Sequence, residues 1–408
     1  MLSLRELTQE YLQSLRLVKE IPRDFQLRES SDIVALIGPR RVGKTFTMLK
    51  AVEKLLSSGR QVIYLSFDEP ALRDIGKREL AELARKEFPE GVIHLFLDEV
   101  QEWRDWDSNL RWLHDVKDFR IYVTGSSSAL LSSEIPSRLR GRYVSRLLLP
   151  LSFREVFRED VTTFRGRGKA LSVLEEYLKW GGFPEVWMSR SREKVVSILN
   201  SIFYRDIVER YGIRDTEVFR AVMNYVIGNY SNQITYRGIV RLLKGLRIGI
   251  DVKTVANYVE YMKNSFLIFL CEIFTYSTRK RIVNPKKIYV VDPAIISLYP
   301  QGADAGRIME NVTYLELLRR LGPEEEIHYY RTRRGGEVDF LITKSGVPKE
   351  VIEVSHTPEP QHYRKVAEAM NELRVRKGLI ITWRVEDEVK VNGRKVEAVP
   401  LWKWILKR

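Results

Sequence analysis

Residues 38–45, Gly-Pro-Arg-Arg-Val-Gly-Lys-Thr, have the types and spacing of a loop that binds phosphate groups. This G-x-x-x-x-G-K-[ST] pattern directly follows Ile33–Ile37, a short apolar run that predicts a buried β-strand. Glycines let the backbone N–H groups converge on phosphate oxygens, Lys44 can reach the β- and γ-phosphates, and the Thr45 hydroxyl can hold Mg²⁺. The alternative is a glycine-rich turn without a ligand. We predict nucleotide contacts from the loop and the residue after it: Gly38, Pro39, Arg40, Arg41, Val42, Gly43, Lys44, Thr45 and Phe46.

Two acids end the next strongly apolar run, Val92–Glu99. If this run is a buried strand, Asp98 and Glu99 emerge at the carboxyl edge of the sheet, facing the phosphate loop. There Asp98 can hold Mg²⁺ through its water shell, and Glu99 can polarise the water that attacks the γ-phosphate. The alternative is that both acids only cap the segment that follows.

A third strand, Arg120–Thr124, runs into Gly125-Ser126-Ser127-Ser128. A polar residue at the end of such a strand can sense the γ-phosphate. Ser126 is the first candidate and Thr124 the second, and a serine-rich loop without this role is the alternative.

Three arginines lie between Arg138 and Arg142. Because arginine stabilises charge on a transferring phosphoryl group, Arg142 is the first candidate for an arginine finger, acting in cis or from a neighbouring subunit. Arg138 is the second candidate. The alternative is a solvated basic segment.

These residues need a rigid sheet to position them. Gln61–Ser66 predicts a further strand, and the strands alternate with the helical segments Thr45–Ser57, Lys77–Phe88 and Trp106–Lys117. This alternation predicts an α/β fold with a parallel sheet covered on both faces, over residues 1–150.

The middle of the chain has a helical character. We predict a helical lid on the ATPase core over 151–214 and a winged helix over 215–298. On the third helix of that domain, Lys253 and Asn257 point away from the apolar stripe and could enter a DNA groove. The basic residues Arg279, Lys280 and Arg281, between two predicted wing strands, suit DNA phosphates. Contact with a protein is the alternative for this domain.

Residues 299–408 predict a helix, a group of strands and a further helix, with Glu310, Asp339 and Glu353 placed as in nucleases of the pattern Asp…Glu-x-Lys. Such enzymes clamp metal ions with the acids. The position of the lysine holds Ser355, although Lys365 on the following helix could replace it. We therefore favour a nuclease-like α/β domain that binds nucleic acid or a partner without cutting it.

Composition limits the function classes. The 408 residues predict two to four domains, and the net charge of +14 favours polyanionic partners, nucleic acid first. The sequence contains no apolar run long enough for a transmembrane helix and no signal-peptide core, so we expect a cytoplasmic protein without membrane contact. The single cysteine, Cys271, excludes an internal disulfide framework and a thiol-based zinc site. The high charge content is typical of thermophiles.

Taken together, the motifs resemble those of a prokaryotic AAA-type P-loop ATPase family that is abundant in archaea. That family joins the ATPase to a winged helix and a C-terminal, restriction-endonuclease-like domain of unknown function. The resemblance implies ATP binding and hydrolysis at Lys44, Thr45, Asp98 and Glu99, and Ser355 departs from it. It rests on these segments: 38–45, 97–101, 124–128, 139–142, 149–155, 180–185 (Trp-Gly-Gly-Phe-Pro-Glu), 204–207 (Tyr-Arg-Asp-Ile), 287–293 and 335–340.

The sequence therefore predicts an Mg²⁺-dependent ATP hydrolase whose nucleotide state (ATP or ADP) changes how the later domains engage DNA. Lys44, Glu99, Ser126 and Arg142 are the expected catalytic residues, and Thr45 and Asp98 the metal ligands. A nucleotide-gated switch that binds protein partners is one alternative, and an ATP-regulated metal-dependent nuclease is another. Assembly into a homo-oligomer is compatible with a finger from a neighbouring subunit.

Overall fold

The computed structural model describes residues 3–15, 19–125, 141–299 and 304–407. The chain divides into two units. The first contains residues 1–149 together with 201–206 and 264–266, and the second contains 150–200, 207–263 and 267–408.

The first unit is built on a parallel five-stranded sheet with the order β2-β3-β4-β1-β5. Strands β1 and β3 are buried along their whole length, which explains their apolar sequences. The predicted α/β fold with a parallel sheet is confirmed. The strands are β1 (Ile33–Ile37), β2 (Gln61–Ser66), β3 (Ile93–Asp98), β4 (Phe119–Thr124) and β5 (Tyr143–Leu147).

Helices α1 (Leu4–Leu15), α2 (Lys44–Ser57), α3 (Lys77–Glu87) and α4 (Trp106–Val116) accompany this sheet, with 3₁₀ turns at Pro70–Leu72 and Val100–Glu102. The three predicted helices are found within one residue of their expected bounds. Helix α1 and strand β5 are additions to the predicted elements. The carboxylate of Glu87 caps α1, because it accepts the backbone N–H groups of Leu4 and Arg5 at 2.6 and 2.9 Å.

From Pro150 onward, the chain contains helices and the strands of a second sheet. The helical segments are α5 (Phe153–Val156), α6 (Phe164–Trp180), α7 (Pro184–Ser189), α8 (Arg192–Ser201), a π-helical segment (Ile202–Glu209), α9 (Thr216–Gly228), α10 (Tyr236–Gly245), α11 (Val252–Asn264), α12 (Thr278–Val283), α13 (Pro293–Ile296), α14 (Ala305–Arg320), α15 (Pro360–Leu373) and α16 (Leu401–Leu406). Among the described residues, none of the helices has the length and apolar character needed to cross a bilayer.

One nine-stranded sheet runs through the second unit, in the order β13-β14-β12-β11-β10-β9-β7-β8-β6. Strand β7 pairs with β8 on one side and with β9 on the other. The boundary predicted at 298/299 therefore falls inside a continuous sheet, because the edge of β7 is covered by the later strand β9. The strands are β6 (Gln233–Ile234), β7 (Ile268–Ile273), β8 (Lys286–Val290), β9 (Glu325–Arg331), β10 (Glu337–Lys344), β11 (Val347–Val354), β12 (Lys377–Thr382), β13 (Asp387–Val391) and β14 (Arg394–Pro400).

The segment predicted as a lid, 151–214, belongs mostly to the second unit. Phe153 and the α6 residues Leu174 and Tyr177 share one hydrophobic core with Tyr329 of β9 and Trp402 of α16. The apolar side chains of residues 151–200 are therefore buried within the second unit, and the role of this segment as a lid stays a prediction.

Five helices and three short strands lie where the winged helix is expected, in the order α9-β6-α10-α11-β7-α12-β8-α13, and the winged-helix assignment stays a prediction. Arg279, Lys280 and Arg281 lie between β7 and β8, as the sequence predicts, and they belong to helix α12. Ser277 explains the helix, because its side chain accepts the backbone N–H of Lys280 and caps the first turn.

Candidate active site at the carboxyl edge of the parallel sheet

The loop between β1 and α2 needs both of its glycines. Gly38 has φ +150°, and a Cβ atom there would lie 2.1 Å from the carbonyl oxygen of Leu148, which follows the neighbouring strand β5. Gly43 is left-handed, with φ +89°, immediately before α2 begins at Lys44. The close strand and the left-handed turn together bend the backbone around the start of the helix, where N–H groups can face an anion.

Lys44 lies inside this loop. Its ammonium group donates to the carbonyl oxygens of Gly38 and Pro39, both at 3.0 Å. Burial lowers the pKa of Lys44, while the charges of Glu99 and Asp98 oppose that shift. Because an ammonium has three donors, Lys44 fixes the loop with two and keeps a third for a phosphate oxygen.

Asp98, at the end of β3, is surrounded by hydroxyl groups. Its side chain accepts hydrogen bonds from Thr45 Oγ1 at 2.7 Å, from the Tyr64 hydroxyl at 2.8 Å and from Thr124 Oγ1. The residue is only 2% exposed. A buried carboxylate beside a threonine hydroxyl presents the hard oxygen ligands that Mg²⁺ prefers, so the residues present fit this metal.

Glu99 is held in a fixed position next to Asp98. Its backbone is left-handed, with φ 49°, and its N–H donates to Thr124 Oγ1 at 3.2 Å. The Gln101 amide donates to Glu99 Oε2 at 2.6 Å. Burial raises the pKa of Glu99, and the hydrogen bond from Gln101 opposes the rise. A carboxylate with a raised pKa is suited to accept a proton from water.

The structure thus brings Lys44, Thr45, Asp98 and Glu99 to one edge of the sheet, as the sequence predicts. Ser126 and Arg138 lie outside the described residues. Thr124, the second candidate for the sensing residue, contacts both Asp98 and Glu99. Tyr64 and Gln101 were not predicted, although a tyrosine within an aliphatic strand was the available signal for Tyr64.

Arg142 lies at the opposite edge of the sheet from the phosphate loop. Its carbonyl oxygen accepts the N–H of Ile33, the first residue of β1, at 3.0 Å. Its guanidinium Nε lies 3.1 Å from Asp115 Oδ1. Since the loop follows the last residue of β1, a strand of five residues, roughly 16 Å long, separates the two. The prediction of a finger in cis at Arg142 is therefore wrong, and a role from a neighbouring subunit stays a prediction.

A cavity of about 230 Å³ lies beside the loop. Pro22, Phe25 and Leu27 line it from the segment before β1, and Phe46 and Lys50 line it from α2. Arg23 fixes this segment to the loop, since its guanidinium donates to the carbonyl oxygens of Val42 and Leu149. The predicted contact residue Phe46 therefore borders a space with both apolar and polar walls next to the phosphate loop.

Residues 30–157 match the family model of an AAA domain, and residues 171–302 and 305–404 match models of two domains of unknown function. An uncharacterized protein of Methanocaldococcus jannaschii is 33% identical over 98% of this chain and 94% of its own length. This chain belongs to the family of that archaeal protein. The predicted AAA-type domain is confirmed, and it contains every residue of the site described above except Pro22, Arg23, Phe25 and Leu27.

More distant similarities extend beyond archaea. An uncharacterized protein of Haemophilus influenzae is 25% identical over 94% of this chain and 96% of its own length. Among solved structures, the ORC1 protein of Aeropyrum pernix in complex with DNA is 14% identical, with a TM-score of 0.28 over 78% of this chain and 93% of that one. AMPPCP-bound DnaA of Aquifex aeolicus is 15% identical, with a TM-score of 0.22 over 63% of this chain and 86% of that one.

Outside the AAA domain, the acids predicted as a second metal site meet in one buried cluster with two lysines. Lys287 Nζ lies 2.8 Å from Asp339, 3.0 Å from Glu310 and 3.1 Å from Glu337. Lys365, the predicted replacement for the missing lysine, pairs with Glu353.

Two lysines offset part of the negative charge of this cluster. Burial opposes the charge of Lys287, but Asp339, Glu310 and Glu337 raise its pKa well above the ordinary value. Burial and the nearby Asp339 raise the pKa of Glu310 to about 7. Within the described ranges, no group of three or more histidine, cysteine or acidic residues is arranged to hold a metal ion. The metal role predicted for Glu310, Asp339 and Glu353 therefore does not fit, because ammonium groups occupy the position of the cation.

The predicted DNA contacts lie on two helices, α11 and α12. Lys253 and Asn257 are exposed one turn apart on α11. Arg279 and Lys280 are exposed on α12, whereas Arg281 is partly buried. These side chains are accessible to a large partner, and their contact with DNA stays a prediction.

Proposed function

We propose that the AAA domain hydrolyses ATP with Mg²⁺ at the carboxyl edge of the parallel sheet. The observation that carries the proposal is the contact of Thr45, Tyr64 and Thr124 with Asp98, one residue before a fixed Glu99. Neutral hydroxyl groups satisfy the hydrogen-bonding capacity of Asp98 without cancelling its charge. A divalent cation can therefore still be attracted to this position.

Each residue has a role in this proposal. Lys44 and the loop N–H groups bind the β- and γ-phosphates, and Thr45 and Asp98 hold Mg²⁺, Asp98 through bound water. The metal neutralises charge on the phosphate oxygens. Glu99 orients the attacking water and accepts its proton, while Thr124 fixes the backbone of Glu99. The cavity beside Phe46 receives the base.

DNA is the partner that we propose for the later domains. The net charge is +14, and the exposed basic residues Lys253, Arg279 and Lys280 are suited to phosphate contacts. We expect DNA binding to weaken steeply with salt, because each phosphate contact releases counterions. Binding that does not change between low and high salt would contradict a DNA partner.

The test is the steady-state rate of ATP hydrolysis with and without single- and double-stranded DNA. We expect Glu99→Gln to lower turnover by about 10²–10⁴-fold, as for loss of a general base, and to leave binding of Mg-ATP intact. Turnover that survives in Glu99→Gln would contradict the role of this residue. If neither single- nor double-stranded DNA changes the rate, the proposed coupling of ATP hydrolysis to DNA binding is wrong.

A nucleotide-gated switch is the second candidate, and the hydrogen bond from Gln101 to Glu99 favours it. The amide of Gln101 donates to one oxygen of Glu99 at 2.6 Å, so a partner that opens this contact would change the basicity of Glu99 and with it the rate of hydrolysis. A switch keeps its response to ATP in Glu99→Gln, as measured by binding to DNA or protein partners, whereas a motor loses it.

A further inference from the structure

Arg40, the third residue of the phosphate loop, is fixed by a distant acid. Its Nε and one terminal nitrogen both lie 2.9 Å from Asp206 Oδ1. Asp206 belongs to the π-helical segment Ile202–Glu209, whose residues up to 206 are part of the first unit. Because π-helical turns are rare and are often found at functional sites, this position merits a functional explanation.

The pair is asymmetric in its surroundings. Asp206 is 2% exposed, and its second oxygen, Oδ2, is buried without a hydrogen-bond partner in the part of the chain that the structure describes. The positive charge of Arg40 therefore offsets the free-energy cost of burying the Asp206 carboxylate. Moving the arginine away would leave an uncompensated buried charge, which is strongly unfavourable, so the contact persists when the loop binds a ligand.

Asp206 uses only part of the hydrogen-bonding capacity of Arg40. A guanidinium has five N–H donors in a planar fork, and Asp206 takes the Nε–H and one terminal N–H. The Arg40 side chain is 31% exposed, so the remaining donors can face a ligand. Its charge also acts on the Lys44 ammonium and is acted on by Glu99. The guanidinium of Arg40 is therefore close enough to Lys44 and Glu99 for their charges to interact.

We propose that Arg40 supplies the cation that stabilises the terminal phosphoryl group, and that Asp206 is the positioning residue that holds Arg40 for this task. This inference rests on the proposed ATP hydrolysis. In that reaction the water oxygen bonds to the γ-phosphorus, the bond from phosphorus to the bridging oxygen of ADP breaks, and the water proton passes to Glu99. Negative charge spreads over the phosphoryl oxygens in the transition state, and a guanidinium fork can donate to two of them.

Arg40 thus takes the role that sequence considerations give to Arg142 in cis. Asp206 lies in the segment Tyr204–Ile207, which carries the family resemblance but has no role in the sequence prediction. The contact with Arg40 explains an acid at this position, because a buried carboxylate needs a cation and the loop arginine is that cation.

The test uses steady-state hydrolysis of Mg-ATP by the full chain. We expect Arg40→Ala to lower kcat by about 10²–10³-fold with a much smaller change in KM, since the contact forms in the transition state. Arg40→Lys is expected to fail as a replacement, because one ammonium cannot contact Asp206 and the phosphate as a fork does. Asp206→Asn is expected to lower kcat by about 10–10²-fold through misplacement of Arg40.

Two further variants make the test specific. The double variant Arg40→Ala/Asp206→Asn is expected to be no slower than Arg40→Ala alone, because Asp206 acts only through Arg40. Glu209→Gln removes an exposed acid from the same segment and is expected to leave kcat unchanged. Asp206→Glu, which keeps the charge, is expected to recover part of the activity. Asp206→Glu also serves as the test variant if Asp206→Asn unfolds at a lower temperature than the wild type.

The outcomes separate this inference from the function on which it rests. If wild-type turnover is abolished by Lys44→Ala but kcat is unchanged in Arg40→Ala or Asp206→Asn, the inference is wrong and ATP hydrolysis stands. Additive losses in the double variant, or a rise in KM with constant kcat, would also overturn it. If the wild type shows no turnover that depends on Lys44, both proposals are wrong.

Discussion

Asp98 and Asp339 are both buried acids on strands, yet the groups around Asp98 are neutral and the group beside Asp339 is a cation. Asp98 accepts hydrogen bonds from three neutral hydroxyl groups, so its negative charge remains available to a cation. Asp339 lies 2.8 Å from the Lys287 ammonium, which also compensates Glu310 and Glu337. The comparison teaches that a carboxylate becomes a metal ligand or part of a structural ion cluster according to its counter-charge, which residue type alone does not reveal.

The largest effect is expected from removing the central cation of the second cluster. Lys287→Met leaves the buried carboxylates of Glu310 and Asp339 without their partner, so we expect a loss of about 3–5 kcal/mol in the free energy of unfolding. Lys286→Met is the matched control, because Lys286 contacts the partly exposed Glu272 and such pairs contribute less than about 1 kcal/mol. Denaturant unfolding of both variants measures the difference. Equal, small losses would show that Lys287 does not stabilise the cluster.

Asp98→Asn is expected to lower ATP turnover by about 10–100-fold and to raise the Mg²⁺ concentration needed for half-maximal rate, because the acid that orients the hydrated metal loses its charge. Asp339→Asn should leave that rate unchanged. Incubation of DNA with Mg²⁺ or Mn²⁺ completes the experiment. Metal-dependent cutting that Asp339→Asn abolishes would mean that the second cluster is a metal site after all.

The pH dependence of turnover tests the environment of Glu99. Burial raises the pKa of Glu99, so the acidic limb of the rate profile should lie above the range of an ordinary glutamate, and turnover should fall as pH drops through it. Gln101→Leu removes a hydrogen bond that lowers this pKa, so the limb should move to higher pH. A profile that is identical in Gln101→Leu would exclude control of Glu99 by this amide.

The smallest effect is expected on the pH dependence of stability, and it comes from Asp292. This buried acid, like Asp98, accepts hydrogen bonds from neutral donors. It accepts the backbone N–H groups of Gly182 and Ala294 at 2.7 and 2.8 Å, and burial raises its pKa to about 7. Because the folded protein holds this proton more tightly than the unfolded chain does, stability should fall as pH rises from about 4 to about 7. Asp292→Asn should flatten that part of the curve in denaturant titrations. An unchanged slope would assign it to other groups.

The sequence predicts the candidate site best where the functional residues are adjacent in the chain. Gly38–Thr45 and the pair Asp98–Glu99 are contiguous patterns beside apolar runs, and the parallel fold follows from their alternation with helices. Arg142 was misplaced because its position depends on the pairing of β5 with β1, and nothing local encodes that register. Asp206 went unrecognised for a similar reason, since its partner Arg40 lies far away in the sequence.

The second unit shows the same limit on a larger scale. The pairing of β7 with β9 joins two segments that the sequence predicts as separate domains. The apolar side chains of α6 could not reveal their partners in advance. Glu310, Asp339 and Glu353 were correctly grouped, whereas Lys287, on a strand with an ordinary apolar pattern, gave no sign of its place among them.

Calorimetric titration of ATP and Mg²⁺ into the wild type and Lys44→Ala tests binding at the phosphate loop directly. We expect saturable uptake of magnesium nucleotide by the wild type, loss of that uptake in Lys44→Ala and its retention in Glu99→Gln. Uptake of the same affinity in Lys44→Ala, or none in the wild type, would contradict the claim that the loop after β1 binds a triphosphate.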